Sequence, residues 1–192
     1  MYAVILAVFF LIVMSVWTLW QVRRDFEERE SLKPETVAGV LAFYTLHLAI
    51  ELIAAWARLW PYQGFQTGSV ILGLIFCLSG GVFLALGTLH MENFQQISGI
   101  KTGELITSGI YRWSRHPQNL GWGLFLVGAG FLGRSLLALL LSAVFWVMLV
   151  AYIPIEEAYL EEIHGEEYRQ YKRRTNRYLG LPIRDRDGDK ES

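Results

Sequence analysis

Charge is missing from most of this chain. No Asp, Glu, Lys or Arg occurs in residues 1–22, 59–89, 117–133 or 135–155. A soluble domain of 192 residues does not leave runs of that length unbroken, because its outer faces must meet water. A helix rises about 1.5 Å per residue, so ~20 apolar residues cross a ~30 Å hydrocarbon core. Cysteine is nearly absent too. The single Cys77 excludes an intramolecular disulfide and any metal site built on several thiolates. In its apolar run it reads as a small buried hydrophobe, and no metal is expected. The net charge of -1 leaves no basic footprint for nucleic acid. The first apolar run lacks the basic start of a signal peptide and reads as a retained anchor.

What is present is apolar helix. The runs predict an all-α integral membrane protein with about five transmembrane helices, over residues 2–22, 36–60, 69–89, 117–132 and 135–153. The fourth is short. Only Gly133-Arg134-Ser135 separates it from the fifth, so the two form a tight C-terminal helical hairpin. Three regions follow: three transmembrane helices over 1–90, a loop, helical hairpin and helical tail over 91–182, and a flexible tail over 183–192. Basic residues mark alternate loops. Arg23, Arg24, Arg29 and Lys33 lie in the first, Lys101, Arg112 and Arg115 in the third, and eight Lys or Arg follow Ile155. The positive-inside rule then predicts an outside N-terminus and a cytoplasmic C-terminus, with the 90–116 loop and a helical tail in the cytoplasm. In that tail Gly165 is a plausible helix stop.

Two polar stretches adjoin the hairpin. In RHPQNLG, residues 115–121, Pro117 suits the first turn of a helix. Arg115 and His116 then precede a helix N-terminus, where unpaired N–H groups favour an anion. Asn119 can hydrogen-bond a ligand, and Gly121 permits close approach. A basic flank at the end of a span explains the same residues without a ligand. Glu156 and Glu157 follow Pro154, which can kink the fifth helix. Adjacent carboxylates near a low-dielectric phase need a compensating cation, unless they are a solvated acidic cap. Both stretches fall at one membrane face, so an anion site and a cation site become neighbours. Deeper in the second helix, His47, Glu51 and Arg58 form a polar stripe. It reads either as a cavity lining or as a lock pairing His47 with Glu51, with Arg58 snorkelling outward.

Residues 109–121, GIYRWSRHPQNLG, resemble the Gly-x-Tyr…Arg-His-Pro-x-x-x-Gly signature of the isoprenylcysteine carboxyl methyltransferase and phospholipid methyltransferase group. Glu156-Glu157, Gly165, Glu167-Tyr168 and Tyr171 resemble the second half of that signature, and the segment IKTGELITSGIY resembles the approach to the first. The likeness covers roughly residues 100–178. Asn119-Leu120 stand where the family often has a bulky residue, and His164 where it often has Phe. The resemblance implies S-adenosylmethionine-dependent methyl transfer, with S-adenosylhomocysteine as product. The acceptor would be a lipophilic or lipid-modified substrate, carrying a carboxylate or an amine and entering from the bilayer. It implies Tyr111, Arg115, His116, Pro117, Asn119, Leu120 and Gly121 as cofactor-lining, with Glu156 and Glu157 on the cofactor's ammonium. Tyr168, Tyr171 and Arg174 would belong to a lid, and Arg115, Glu157 and Arg174 are the expected catalytic residues. Two competing readings remain: an NADPH-dependent reductase of sterol-reductase type, and a non-catalytic membrane scaffold.

Overall fold

The computed structural model describes residues 2–28, 32–90 and 104–182; Lys101 and the tail 183–192, read above as flexible, lie outside them. The elements run α1 Tyr2–Glu28, α2 Pro34–Trp56, α3 Gln66–Leu89, a 3-10 turn Gly109–Arg112, α4 Pro117–Gly133 and α5 Leu136–Arg174. Pro34 and Pro117 open α2 and α4, where a missing N–H leaves no helical bond unmade. Ser135 caps α5, its Oγ accepting from the Ala138 N–H at 3.1 Å.

Helices α1, α2, α3 and α5 are long and apolar enough to cross a membrane. Helix α4 has 17 residues, about 25 Å, and packs against α2, α3 and α5. The outer surface is greasy: Phe9, Leu78 and Val147 are 64%, 69% and 72% exposed, as lipid-facing side chains are. This is an all-α integral membrane fold, and its backbone polar groups are satisfied within the helices as a bilayer requires.

Helices α3 and α4 pack most closely because glycines let their backbones meet. A Cβ added at Gly80 would stand 2.6 Å from the Gly121 carbonyl oxygen, and one at Gly128 would stand 2.6 Å from the Cys77 nitrogen. Helices α2 and α3, although consecutive, both lean on α4 and barely touch each other. That arrangement leaves a cleft between them, floored by α4.

Helix α5 departs from the sequence reading. It does not stop near residue 153 but runs helically through Pro154. From Leu136 to Gly165 it rises about 44 Å, so its far end stands beyond a ~30 Å core before the chain turns. Its one non-helical residue is Gly165, at φ 53° and ψ −123°, a conformation that a side chain would disfavour. The polar stripe also differs from expectation. Arg58 lies past the end of α2 and cannot share its face. Glu51 is fully buried and accepts from Ser142 Oγ of α5 at 2.7 Å, while His47 Nε2 lies 3.4 Å from its other oxygen. The stripe therefore joins α2 to α5 well inside the bundle.

Gly80→Ala forces the α3 and α4 backbones apart and is expected to cost roughly 1–3 kcal/mol, the usual cost of overpacking. Gly81→Ala, whose Cβ meets nothing within 4 Å, is expected to be neutral or slightly stabilising. Unfolding of both variants in detergent checks the contrast.

Candidate functional site

Three segments converge at the end of the bundle where α4 begins and α5 protrudes. The first is the turn before α4. Tyr111 donates to the Gly87 carbonyl of α3 at 3.2 Å, and Ser114 Oγ accepts from the His116 N–H at 3.2 Å. The second is the protruding part of α5. The turn at Gly165 brings Tyr168 and Tyr171 back onto Tyr111, and the three rings form a small core with Leu105, Ile106, Ile110 and Leu160. Tyr171 donates to the Tyr111 carbonyl at 2.8 Å. The third is the strap after α5. The Asn176 carbonyl accepts from the Arg115 N–H, and the Gly180 N–H donates to the Trp113 carbonyl, both at 3.0 Å.

At their meeting point sits Glu157, 2% exposed. Arg115 Nη2 lies 3.0 Å from it and His116 Nε2 3.3 Å. Arg177 grips both its oxygens, Nη2 at 2.7 Å and Nε at 3.2 Å, in the fork geometry that binds carboxylates most firmly. The other imidazole nitrogen, His116 Nδ1, lies 3.1 Å from Glu156 Oε2. Burial opposes ionisation of Glu157, but hydrogen bonds from His116 and Arg177 and the charge of Arg115 outweigh it and hold its carboxyl at about 2. Burial likewise opposes the charged form of His116. Glu156 first, then Glu157, reverses that and raises its pKa above the ordinary imidazole value.

Beside this knot lies a cavity of about 410 Å³. Its polar pole is formed by Tyr111, Arg115, His116, Pro117, Asn119, Glu156, Tyr168 and Tyr171. Its apolar arm runs between Phe26, Val37, Val40, Leu41, Leu84, Met148 and Tyr152, with Tyr44 and Trp122 at its base. Tyr44 donates to Asn119 Oδ1 at 3.1 Å and meets Trp122 edge-on at 5.4 Å. Leu41 of α2 and Leu84 of α3 line the arm on either side of the cleft between those helices. Three polar atoms on this wall are buried without a hydrogen-bond partner among the described residues: Arg115 Nε, Trp122 Nε1 and the Tyr168 hydroxyl. Burial pushes the Tyr168 hydroxyl well above the ordinary phenol value, so it stays protonated and able to donate. Buried unpaired donors are costly, and a ligand that accepts from them removes that cost.

Eight of the residues expected from the sequence thus line one cavity. Four stand apart from its wall. Leu120 and Gly121 are buried elsewhere on α4, and Gly121 is backed against Gly80 and Leu84. Glu157 lies behind the wall in its ring of cations, and Arg174 is exposed. Sequence reasoning missed Arg177, which the strap brings back to Glu157. It also missed Tyr44, three residues before His47 and so close to the face of α2 already marked as polar.

A family model for phospholipid methyltransferases matches residues 69–167. The chain belongs to the phospholipid methyltransferase family. Among its relatives is the protein-S-isoprenylcysteine O-methyltransferase of Schizosaccharomyces pombe, 36% identical over 96 residues, which is 48% of this chain and 40% of that protein. The Homo sapiens protein-S-isoprenylcysteine O-methyltransferase is 26% identical over 163 residues, 79% of this chain and 56% of its own length. A probable enzyme of the same name from Oryza sativa subsp. indica is 31% identical over 117 residues, 60% and 56% of the two chains. The chain spans about half the length of these curated relatives. No solved structure matches it. The family match holds α3, α4 and most of α5, and with them most of the polar pole. Helices α1 and α2, which build much of the apolar arm, fall outside it.

The pKa directions set a pH dependence. His116, raised, contributes stability that is complete below the ordinary imidazole value of ~6.5 and is lost as pH rises through its raised value. Glu157, lowered, contributes stability that is present above the ordinary carboxyl value and is lost only as pH falls toward about 2. Thermal unfolding in detergent from strongly acidic to alkaline pH should show the native protein weakening on both sides, on the alkaline side through His116 and on the acid side through Glu157. His116→Gln should lose that alkaline limb while keeping the acid one.

Proposed function

We propose that this protein is an S-adenosylmethionine-dependent membrane methyltransferase acting on a lipophilic acceptor, and that the polar end of the bundle faces the cytoplasm. The observation that carries the reading is the two-part cavity: a charged pole of paired acids and bases runs into an apolar arm that reaches the exposed Leu41 of α2. The residues fit the donor. Arg115 Nε and the Tyr168 hydroxyl are free donors for a carboxylate, and Glu156 supplies an acid for an ammonium. Counting Arg115, Arg177 and a protonated His116 against Glu156 and Glu157 leaves one positive charge over, which a bound carboxylate balances.

When bound, S-adenosylmethionine supplies an electrophilic methyl group on a sulfonium whose thioether leaving group is neutral. The protein therefore needs neither an acid for the leaving group nor a metal. Its work is to hold two reactants in line and keep water out, which can contribute ~7–11 kcal/mol. Tyr44 occupies Asn119 Oδ1, so the amide N–H₂ is left to donate. With Trp122 Nε1 it forms a pair of donors where the pole meets the arm. Such a pair suits an anionic oxygen, which attacks without losing a proton, better than an ammonium that must first be deprotonated. The relatives named as O-methyltransferases agree with an oxygen acceptor, and we infer a carboxylate at the head of an apolar chain. The chain would lie along Val40 and Leu41 and leave between α2 and α3. An NADPH reductase fits less well, because Glu156 would face a polyphosphate.

Calorimetric titration with S-adenosylhomocysteine is expected to show saturable binding. Arg115→Ala and Glu156→Gln should each weaken it at least ~10-fold, about 1.4 kcal/mol, and NADPH should not compete. Leu41→Trp narrows the arm and should raise KM for the acceptor while leaving S-adenosylhomocysteine affinity near that of the native protein. Equal loss of both affinities would contradict the division into pole and arm.

A further inference from the structure

The opposite end of the bundle carries a feature that the methyl-transfer reading does not use. The short connection from α2 to α3 is stitched onto the turn between α4 and α5. Ser135 Oγ donates to the Leu59 carbonyl at 2.6 Å, the Leu136 N–H donates to the Trp60 carbonyl at 3.0 Å, and Pro61 pairs with Ser135 in an antiparallel bridge. Tyr62 and Ser69 share a hydroxyl hydrogen bond at 3.0 Å, and Gly133 lies directly on the Ala55 backbone. The two loops form one rigid cap.

Two arginines sit in that cap, each one residue, about 3.8 Å along the chain, from the Ser135–Leu59 bond. They are Arg58 and Arg134, and both have left-handed backbones, at φ 49° and 50°. The four non-glycine residues with positive φ among the described residues, Arg58, Trp60, Phe65 and Arg134, all lie at this end. Glycine is the inexpensive choice in that conformation, so each arginine carries a strain that its side chain must offset. No described residue does so. Neither guanidinium makes a hydrogen bond or an ion pair with any described residue. No Asp or Glu occurs in residues 52–91 or 117–155, so both loops of this end are free of acid. Trp56, Trp60 and Phe65 are 87%, 49% and 68% exposed, the amphipathic and apolar rings that lie at headgroup level in a bilayer.

We propose that Arg58 and Arg134 together bind the phosphate of an anionic phospholipid in the leaflet at this end of the bundle. Two guanidiniums held on one stiff cap suit a single phosphodiester, which accepts N–H bonds from both. Their fixed backbones reduce the ordering cost of binding. The flanking rings cover the glycerol and upper acyl region, and the lack of acid on this end removes the repulsion that would otherwise oppose an anion. The bound lipid pins the cap and, through Ser135, the hairpin of α4 and α5. This site is independent of the methyl-transfer reading and stands or falls without it.

The test uses the full chain in nanodiscs of phosphatidylcholine, with and without phosphatidylglycerol, and compares it with the double variant Arg58→Gly, Arg134→Gly. Glycine relieves the left-handed strain, so in phosphatidylcholine the variant should melt at the native temperature or above it. That outcome shows that it folds. Phosphatidylglycerol should raise the native Tm by ~3 °C or more and leave the variant's Tm unmoved. Native mass spectrometry should find phosphatidylglycerol retained at least ~10-fold less by the variant. An equal rise in both proteins, no rise in either, or the same rise from inorganic phosphate added to phosphatidylcholine nanodiscs overturns the proposal.

Discussion

A carboxylate cut off from water stays ionised only if cations surround it, and Glu157 is such a group. The arginine and histidine before α4 approach it from one side, and the arginine of the strap approaches from the other. Removing Glu157 would leave its three cations without the carboxylate they share, and breaking a buried pair from one side is far costlier than the net worth of the pair. The knot therefore does more than neutralise. It fixes the end of α5 against the turn before α4 and draws the strap across both. Tyr168 and Tyr171 are thereby held over Tyr111, and these residues make the wall of the cavity. Glu156, the neighbour left facing the cavity, pairs with His116 and is the acid available to a ligand.

The other half of the cavity comes from a different constraint. Glycine contacts draw α3 onto α4, while α2 reaches α4 and α5 through larger groups: Phe43 and Tyr44 against Phe145, and Glu51 against Ser142. One pair is tight and the other is wide, so α2 and α3 cannot also meet. The opening between them follows from packing and needs no moving part. It also divides the molecule by origin. The polar pole belongs mostly to the part shared with the phospholipid methyltransferase family, and the apolar arm is contributed largely by the helices before it. The family match thus covers most of the pole, and the acceptor must be argued from α1 and α2.

Much of this could be read from the residues alone. Charge-free runs located four of the five helices, because a bilayer tolerates little else along a span, and the second, which carries Glu51, was read from its apolar residues. Arg115, His116, Glu156 and the two tail tyrosines were legible because they adjoin the hairpin at one face. What escaped was set by tertiary detail. Pro154 signals a break, but the helix continues past it; the direction changes eleven residues on, at Gly165, where the sequence already offered a helix stop. Glu156 and Glu157 look equivalent in sequence, and about 100° of helical rotation sends one to the cavity and the other into the knot. Arg177 lies in an irregular strap whose path depends on hydrogen bonds to Trp113 and Arg115. Glu51 lies beside His47 as the lock reading expected, but its second partner is Ser142, 91 residues away, which no local pattern could supply.

The central claim is that one cavity holds the methyl donor between Arg115 and Glu156. An experimental structure of the protein with S-adenosylhomocysteine tests it most directly. The account predicts ligand density inside the cavity, its carboxylate within hydrogen-bond distance of Arg115 or Tyr168 and its ammonium near Glu156. Density confined to another surface, or a saturated protein whose cavity holds only lipid, would contradict it.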